Sequence, residues 1–178
     1  FIFYAEDREL LPVRSNAAYR ESYSLHALKR RIAAEIDRGQ PAVASMSGLW
    51  SRLRELWQVI DQGNGQLGVP AYNGGLFKPA NHPWLEQQRV GDLHLRTAID
   101  LLARTADPKT GAREFVDYRD LEIRHLGSIY EGLLEYRVVV DPRPSRFSET
   151  LKVSLLTDKG ERKATGSYYT PDTILQYI

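Results

Sequence analysis

Cysteine is absent from these 178 residues. That excludes a disulfide framework, a thiolate nucleophile and a cysteine-ligated zinc site. No apolar run approaches the ~18 residues of a membrane span, and methionine occurs only once. Neither sign of charge dominates: the formal net charge is +1, so any contact with nucleic acid must come from a local patch and not from a basic domain. There is no internal repeat, low-complexity tract or long linker. The opening Phe1-Ile2-Phe3-Tyr4-Ala5 is too short, and too soon followed by Glu6-Asp7-Arg8, for a signal peptide. These absences lead us to expect a cytoplasmic protein without membrane contact.

What is present is ordinary for a globular domain: 42% hydrophobic and 26% charged residues, in a chain long enough for one core with an appendage. Arginine outnumbers lysine, and a forked guanidinium suits phosphates and base edges, although genomic base composition produces the same bias. Phe1 to Leu11 reads as a helix with Ile2, Ala5 and Leu10 inward and Pro12 as its stop. Its acids Glu6, Asp7 and Glu9 read as a solvated face and not a metal site. Tyr19 to Arg38 carries Leu25, Leu28, Ile32 and Ile36 on one side, with Ser22 or Ser24 as cap and Gly39 as terminator. Lys29, Arg30 and Arg31 read as its solvated basic face, with a phosphate contact as the sharper alternative. Ser47 to Asp61 is strongly amphipathic through Leu49, Leu53, Leu56, Trp57 and Ile60.

Gly63-Asn64-Gly65-Gln66-Leu67-Gly68 spells Gly-x-Gly-x-x-Gly. A dinucleotide fingerprint follows a strand and opens a helix, whereas this string follows a helix and meets Pro70, so it reads as a turn. Tyr72-Asn73-Gly74-Gly75-Leu76-Phe77 reads as a second turn, pinned by its aromatic and aliphatic residues. After a short segment opened by His82-Pro83-Trp84-Leu85, Asp92 is expected to cap a helix to about Arg104, with Leu95, Ile99 and Leu102 inward. Asp107 to Gly111 breaks the chain. Tyr118 to Tyr136 is expected to be the central helix, capped by Asp117 or Asp120, with a stripe of Leu121, Leu126, Ile129, Leu133 and Tyr136. Gly127 and Gly132 weaken it by roughly 1 kcal/mol each. His125 and Ser128 fall within it, where a serine is poorly placed to be a nucleophile. Arg137 to Val140 and Leu151 to Leu156 then form an antiparallel hairpin around a Pro/Arg/Ser loop bearing Arg143 and Arg146. Glu161-Arg162-Lys163 has the Glu-x-Lys half of a restriction-nuclease site, a pattern too short to carry weight without its acidic strand. The expected fold class is mainly α, a multi-helix domain with a small antiparallel β-hairpin near the C-terminus.

The chain closes on Gly166-Ser167-Tyr168-Tyr169-Thr170-Pro171-Asp172, followed by Ile174, Leu175 and Ile178 at helical spacing. Thr170 is a good N-cap, Pro171 fits the first helical turn, and Asp172 complements the helix dipole. Such a helix start suits a small anion, although an ordinary capped helix has the same composition.

The wider string Gly-Ser-Tyr-Tyr-Thr-Pro resembles the opening of the methyltransferase domain in DNA adenine-N6 methyltransferases, above all type IIG restriction–modification and phage-defence enzymes. Phe3 to Pro12, the Tyr72 to Phe77 turn and Asp117 to Tyr136 resemble recurring stretches upstream of that domain. The resemblance implies that Tyr168, Tyr169, Thr170 and Pro171 help to hold S-adenosylmethionine. It implies a parent enzyme acting on double-stranded DNA, with an endonuclease attached or a phage-defence complex around it. The glycine-bearing cofactor loop and Asn-Pro-Pro-Tyr motif of that family do not occur in these residues. The expectation is therefore a fragment, catalytically silent alone. Its parts would be a helical domain at 1–136, a hairpin connector at 137–165 and the first segment of a truncated methyltransferase domain at 166–178, contacting other domains of the same polypeptide. The rival reading is a non-enzymatic helical module for protein interaction or DNA-backbone binding.

Overall fold

The computed structural model describes residues 1–72, 74–134, 136–141 and 152–157. The chain divides into two compact units, Phe1–Asp120 and Leu121–Ile178. As expected, it is mainly α-helical with a small antiparallel hairpin near the C-terminus. Among the described residues, no helix is long and apolar enough to cross a membrane.

The first unit is built on α1 (Ile2–Asp7), α2 (Leu25–Asp37), α3 (Gly48–Gln62), α4 (Pro83–Glu86) and α5 (Asp92–Ala103). The α3 stripe lies where the periodicity puts it: Leu49, Leu53, Leu56 and Ile60 are buried, and Trp57 meets the buried Trp50 edge to face at 5.5 Å. They join Leu28 and Ile32 of α2, Ile99 and Ala103 of α5, and Leu11, Leu67 and Val69 from the connections in one core. Gly63 to Gly68 is a turn closed by a bridge between Asn64 and Val69, and Gly63 (φ 74°) lies so near Ala71 that a side chain there would collide with its backbone.

Several elements differ from the expectation. The α1 helix ends at Asp7, because Glu9 turns the chain at φ 58°. Leu10 is consequently 52% exposed and Leu11 takes the buried place. The expected helix from Tyr19 is two pieces, a π-helical turn Tyr19–Tyr23 and α2, separated where Ser24 is extended (ψ 143°). Ser24 is the N-cap, accepting from the Ala27 amide at 3.1 Å. Asp92 does not cap its own helix; Gly91 holds that position. Its carboxylate instead accepts from the Leu49 amide at 2.9 Å, at the start of α3. Leu102 is exposed, while Asp100 is buried on the same helix.

Around the expected break at 107–111 stand two short strands, β1 (Arg104–Ala106) and β2 (Arg113–Phe115), paired antiparallel. Asp107 closes their turn by accepting from the amides of Lys109 and Thr110. The end of the unit returns to its beginning. Tyr118 stacks on Phe3 at 5.6 Å between ring centroids, its amide donates to Asp7 Oδ2 at 2.8 Å, and Arg119 Nε donates to the Asp7 carbonyl.

In the second unit, α6 (Ile123–Leu134) precedes β3 (Tyr136–Asp141), which pairs antiparallel with β4 (Lys152–Thr157). The helix starts five residues later than expected because the preceding segment is a turn: Asp117 accepts from the Arg119 amide, and His125 Nδ1 accepts from the Glu122 amide. Ile129 and Leu133 of the expected apolar stripe are exposed. On one face of the hairpin Val138 stands opposite Leu155 and Val140 opposite Val153, all four exposed.

Candidate functional site

Four amides open α2, and a helix start leaves all of them without partners in their own helix. The Ser24 amide donates to the Tyr19 carbonyl at 2.9 Å, and the Ser24 hydroxyl takes Ala27 N–H. The other two, Leu25 and His26, donate to Glu6 Oε1 and Oε2, each at 2.8 Å. Glu6 is thus a carboxylate delivered from α1 into the anion position of another helix. It is only 2% exposed, and Tyr19 adds its hydroxyl at 3.0 Å. The reading of Glu6, Asp7 and Glu9 as a solvated face is corrected for its first two members, since Asp7 is also largely covered.

Burial pushes the Glu6 carboxyl above its ordinary range, against the pull of the Leu25 and His26 amides. Burial, followed by the nearby Glu6 charge, raises Tyr19 far above its ordinary 10.0. Folded Tyr19 therefore keeps a proton that the unfolded chain gives up. Its contribution is complete below pH 10 and is lost as pH rises through the folded value. Tyr19→Phe is expected to cost about 1 kcal/mol at neutral pH and to flatten the fall in urea midpoint above pH 10. An equal alkaline fall in wild type and variant would count against this assignment.

Beside Glu6, His26 Nε2 meets Asp7 Oδ1 at 2.6 Å. The pair forms part of the wall of a cleft of about 490 Å³, which Arg14, Arg20, Arg30 and Arg119 also line. An acid–histidine pair can orient an imidazole for proton transfer, but among the described residues no serine or threonine lines this cleft to serve as a nucleophile. Among the described residues, no group of three or more histidines and acids is placed to hold a metal ion. The sequence reading missed this assembly because Glu6, His26 and Arg119 lie far apart in the chain. The available signal was that Ser24 alone cannot satisfy the start of α2.

The basic cluster on α2 is split. Lys29 is buried, with its ammonium 5.3 Å from the Phe3 ring centroid and 5.5 Å from that of Phe115. Arg30 and Arg31 are exposed, Arg31 beside Glu35. His125 and Ser128 make local contacts: Ser128 Oγ donates to the Arg124 carbonyl at 3.1 Å, as helical serines commonly do. Tyr168, Tyr169, Thr170 and Pro171, the residues singled out for S-adenosylmethionine, lie outside the described residues, as do Arg143, Arg146 and Glu161 to Lys163. No protein-family model, curated protein or solved structure matches the chain.

Proposed function

We propose that this chain is the helical region leading into the catalytic domain of an S-adenosylmethionine-dependent DNA adenine-N6 methyltransferase of the restriction–modification or phage-defence type. The observation that carries the proposal is the string Gly166-Ser167-Tyr168-Tyr169-Thr170-Pro171, followed by an apolar helical pattern. A mainly helical body preceding a short hairpin is compatible with a connector in that position. The chain by itself supplies no Asn-Pro-Pro-Tyr to hold a flipped adenine, so its role is to support the parent's catalytic domain and complete one side of the cofactor site.

Thr170 provides the test. In the parent enzyme its hydroxyl would cap the Pro171 helix and meet the polar end of S-adenosylmethionine. Thr170→Ala and Thr170→Val are expected to weaken cofactor binding by about 1–2 kcal/mol, the range of a lost hydrogen bond, while Thr170→Ser stays near wild type. Calorimetric titration with S-adenosylmethionine distinguishes the outcomes. Equal affinity in all four proteins would reduce Thr170 to a helix cap. The isolated 178-residue chain is expected to transfer no labelled methyl group to adenine-containing DNA.

A further inference from the structure

The cleft beside Glu6 has more cationic than anionic groups left unengaged. Three acids line it, and each already has partners: Glu6 holds two amides and the Tyr19 hydroxyl, Asp7 holds His26 and the Tyr118 amide, and Glu9 pairs with Arg14 at 3.0 Å. Three guanidiniums remain. Among the described residues Arg119 uses only Nε, on the Asp7 carbonyl, and Arg20 touches Glu21, which is outside the cleft wall, at 3.4 Å. Arg30 is exposed and forms no hydrogen bond or ion pair among the described residues.

About 490 Å³ is within the range of small-molecule sites and far more than a bare ion needs. The wall is polar, with Val13 and Ala27 its only apolar members among the described residues, which argues against a ligand with a greasy body. Several planar guanidiniums around a polar hollow suit a phosphate group, whose oxygens accept forked pairs of hydrogen bonds.

We propose that this cleft binds a phosphate-bearing ligand, with Arg20, Arg30 and Arg119 as its cationic contacts. The proposal rests on the cleft alone and does not depend on the methyltransferase reading. Two sources share the chemistry: a free nucleotide, and a backbone phosphate of DNA. The test titrates the full 178-residue chain with ATP and, separately, with short mixed-sequence duplex DNA. It uses wild type, Arg20→Glu/Arg30→Glu and Arg20→Lys/Arg30→Lys, all three first checked for an unchanged helical circular dichroism spectrum. The expected result is saturable binding of at least one probe, weakened about tenfold or more by the glutamates and by less by the lysines, which keep the charge but lose the guanidinium fork. One-to-one ATP binding that inorganic phosphate displaces identifies the free-nucleotide source. Binding of DNA alone, falling steeply with salt, identifies the backbone source. If neither probe saturates, or if the glutamate variant binds as wild type does, the proposal is overturned. A glutamate variant that fails to fold is replaced by Arg20→Gln/Arg30→Gln, and binding there equal to wild type also overturns the proposal.

Discussion

Glu6→Ala is expected to lower the stability of the protein by roughly 3–5 kcal/mol, the scale seen when one partner of a buried charged network is removed. The variant removes the acceptors of Leu25 N–H, His26 N–H and Tyr19 O–H together. None of the three is well placed to reach water: Leu25 and Tyr19 are buried and His26 half-buried. Glu6→Gln keeps the volume but turns one acceptor oxygen into a donor facing an amide, so it should cost less, about 1–3 kcal/mol. Urea midpoints at constant m-value would measure both.

The pH dependence has a definite sign. Because burial raises the folded carboxyl above its ordinary 4.5, the folded state binds this proton more readily than the unfolded chain. The stability linked to that proton is full below pH 4.5 and is lost as pH rises through the folded value. Glu6→Gln removes this dependence. A Glu6→Ala variant within about 0.5 kcal/mol of wild type, the scatter of ordinary surface substitutions, would refute the buried-anchor role.

The second large effect is expected at the opposite end of α2. Arg104, with its side chain only 4% exposed, donates Nε to Asp100 at 2.7 Å and one terminal nitrogen to both oxygens of Asp37. Arg113 reaches the other oxygen of Asp100 at 2.7 Å. This cluster joins α2, α5 and the β1–β2 ribbon, and the remaining Arg104 nitrogen has no partner among the described residues. Asp100→Ala leaves a buried guanidinium dependent on the largely exposed Asp37 alone. The expected cost is again roughly 3–5 kcal/mol. Removing both charges is expected to hurt less: Asp100→Leu with Arg104→Met should be more stable than Asp100→Ala, because no fully buried ion is left uncompensated, Asp37 and Arg113 both reaching solvent. A double-mutant cycle on the pair should give a coupling of about 1–3 kcal/mol. A coupling near zero would mean that the two side chains are neighbours without mutual dependence.

These two anchors mark what was legible in the sequence. Helix α3 could be read almost to its ends, because one amphipathic stripe buries against a common core and periodicity reports that directly. The second hairpin was equally plain: two β-branched and aliphatic runs pair as expected. Glu6 was not legible. Glu-Asp-Arg-Glu has the composition of a wetted face, and the acceptor role of Glu6 depends on α2 arriving from nineteen residues later in the chain. The same limit hid Asp92, whose carboxylate serves α3 and not its own helix. The three-residue strands β1 and β2 were too short for alternation to register, and Arg104 breaks the rule that buried positions look apolar. The late start of α6 follows from polar side chains turning residues 117–122, a competition with helix formation that propensity alone does not resolve.

The return of Tyr118 to the first helix sets a delay during synthesis. Asp7 and the Tyr118 amide are 111 residues apart. A ribosome adding ~5–20 residues per second needs about 5–20 s to make the second after the first. Throughout that interval Phe3 lacks its stacking partner, and Asp7 lacks one of its two donors. The Glu6 contacts with α2 can form after only twenty residues or so, but the unit cannot close until its own end has left the exit tunnel. For those seconds the nascent chain presents an aromatic face, made of Phe3, that a chaperone can occupy and Tyr118 must later reclaim.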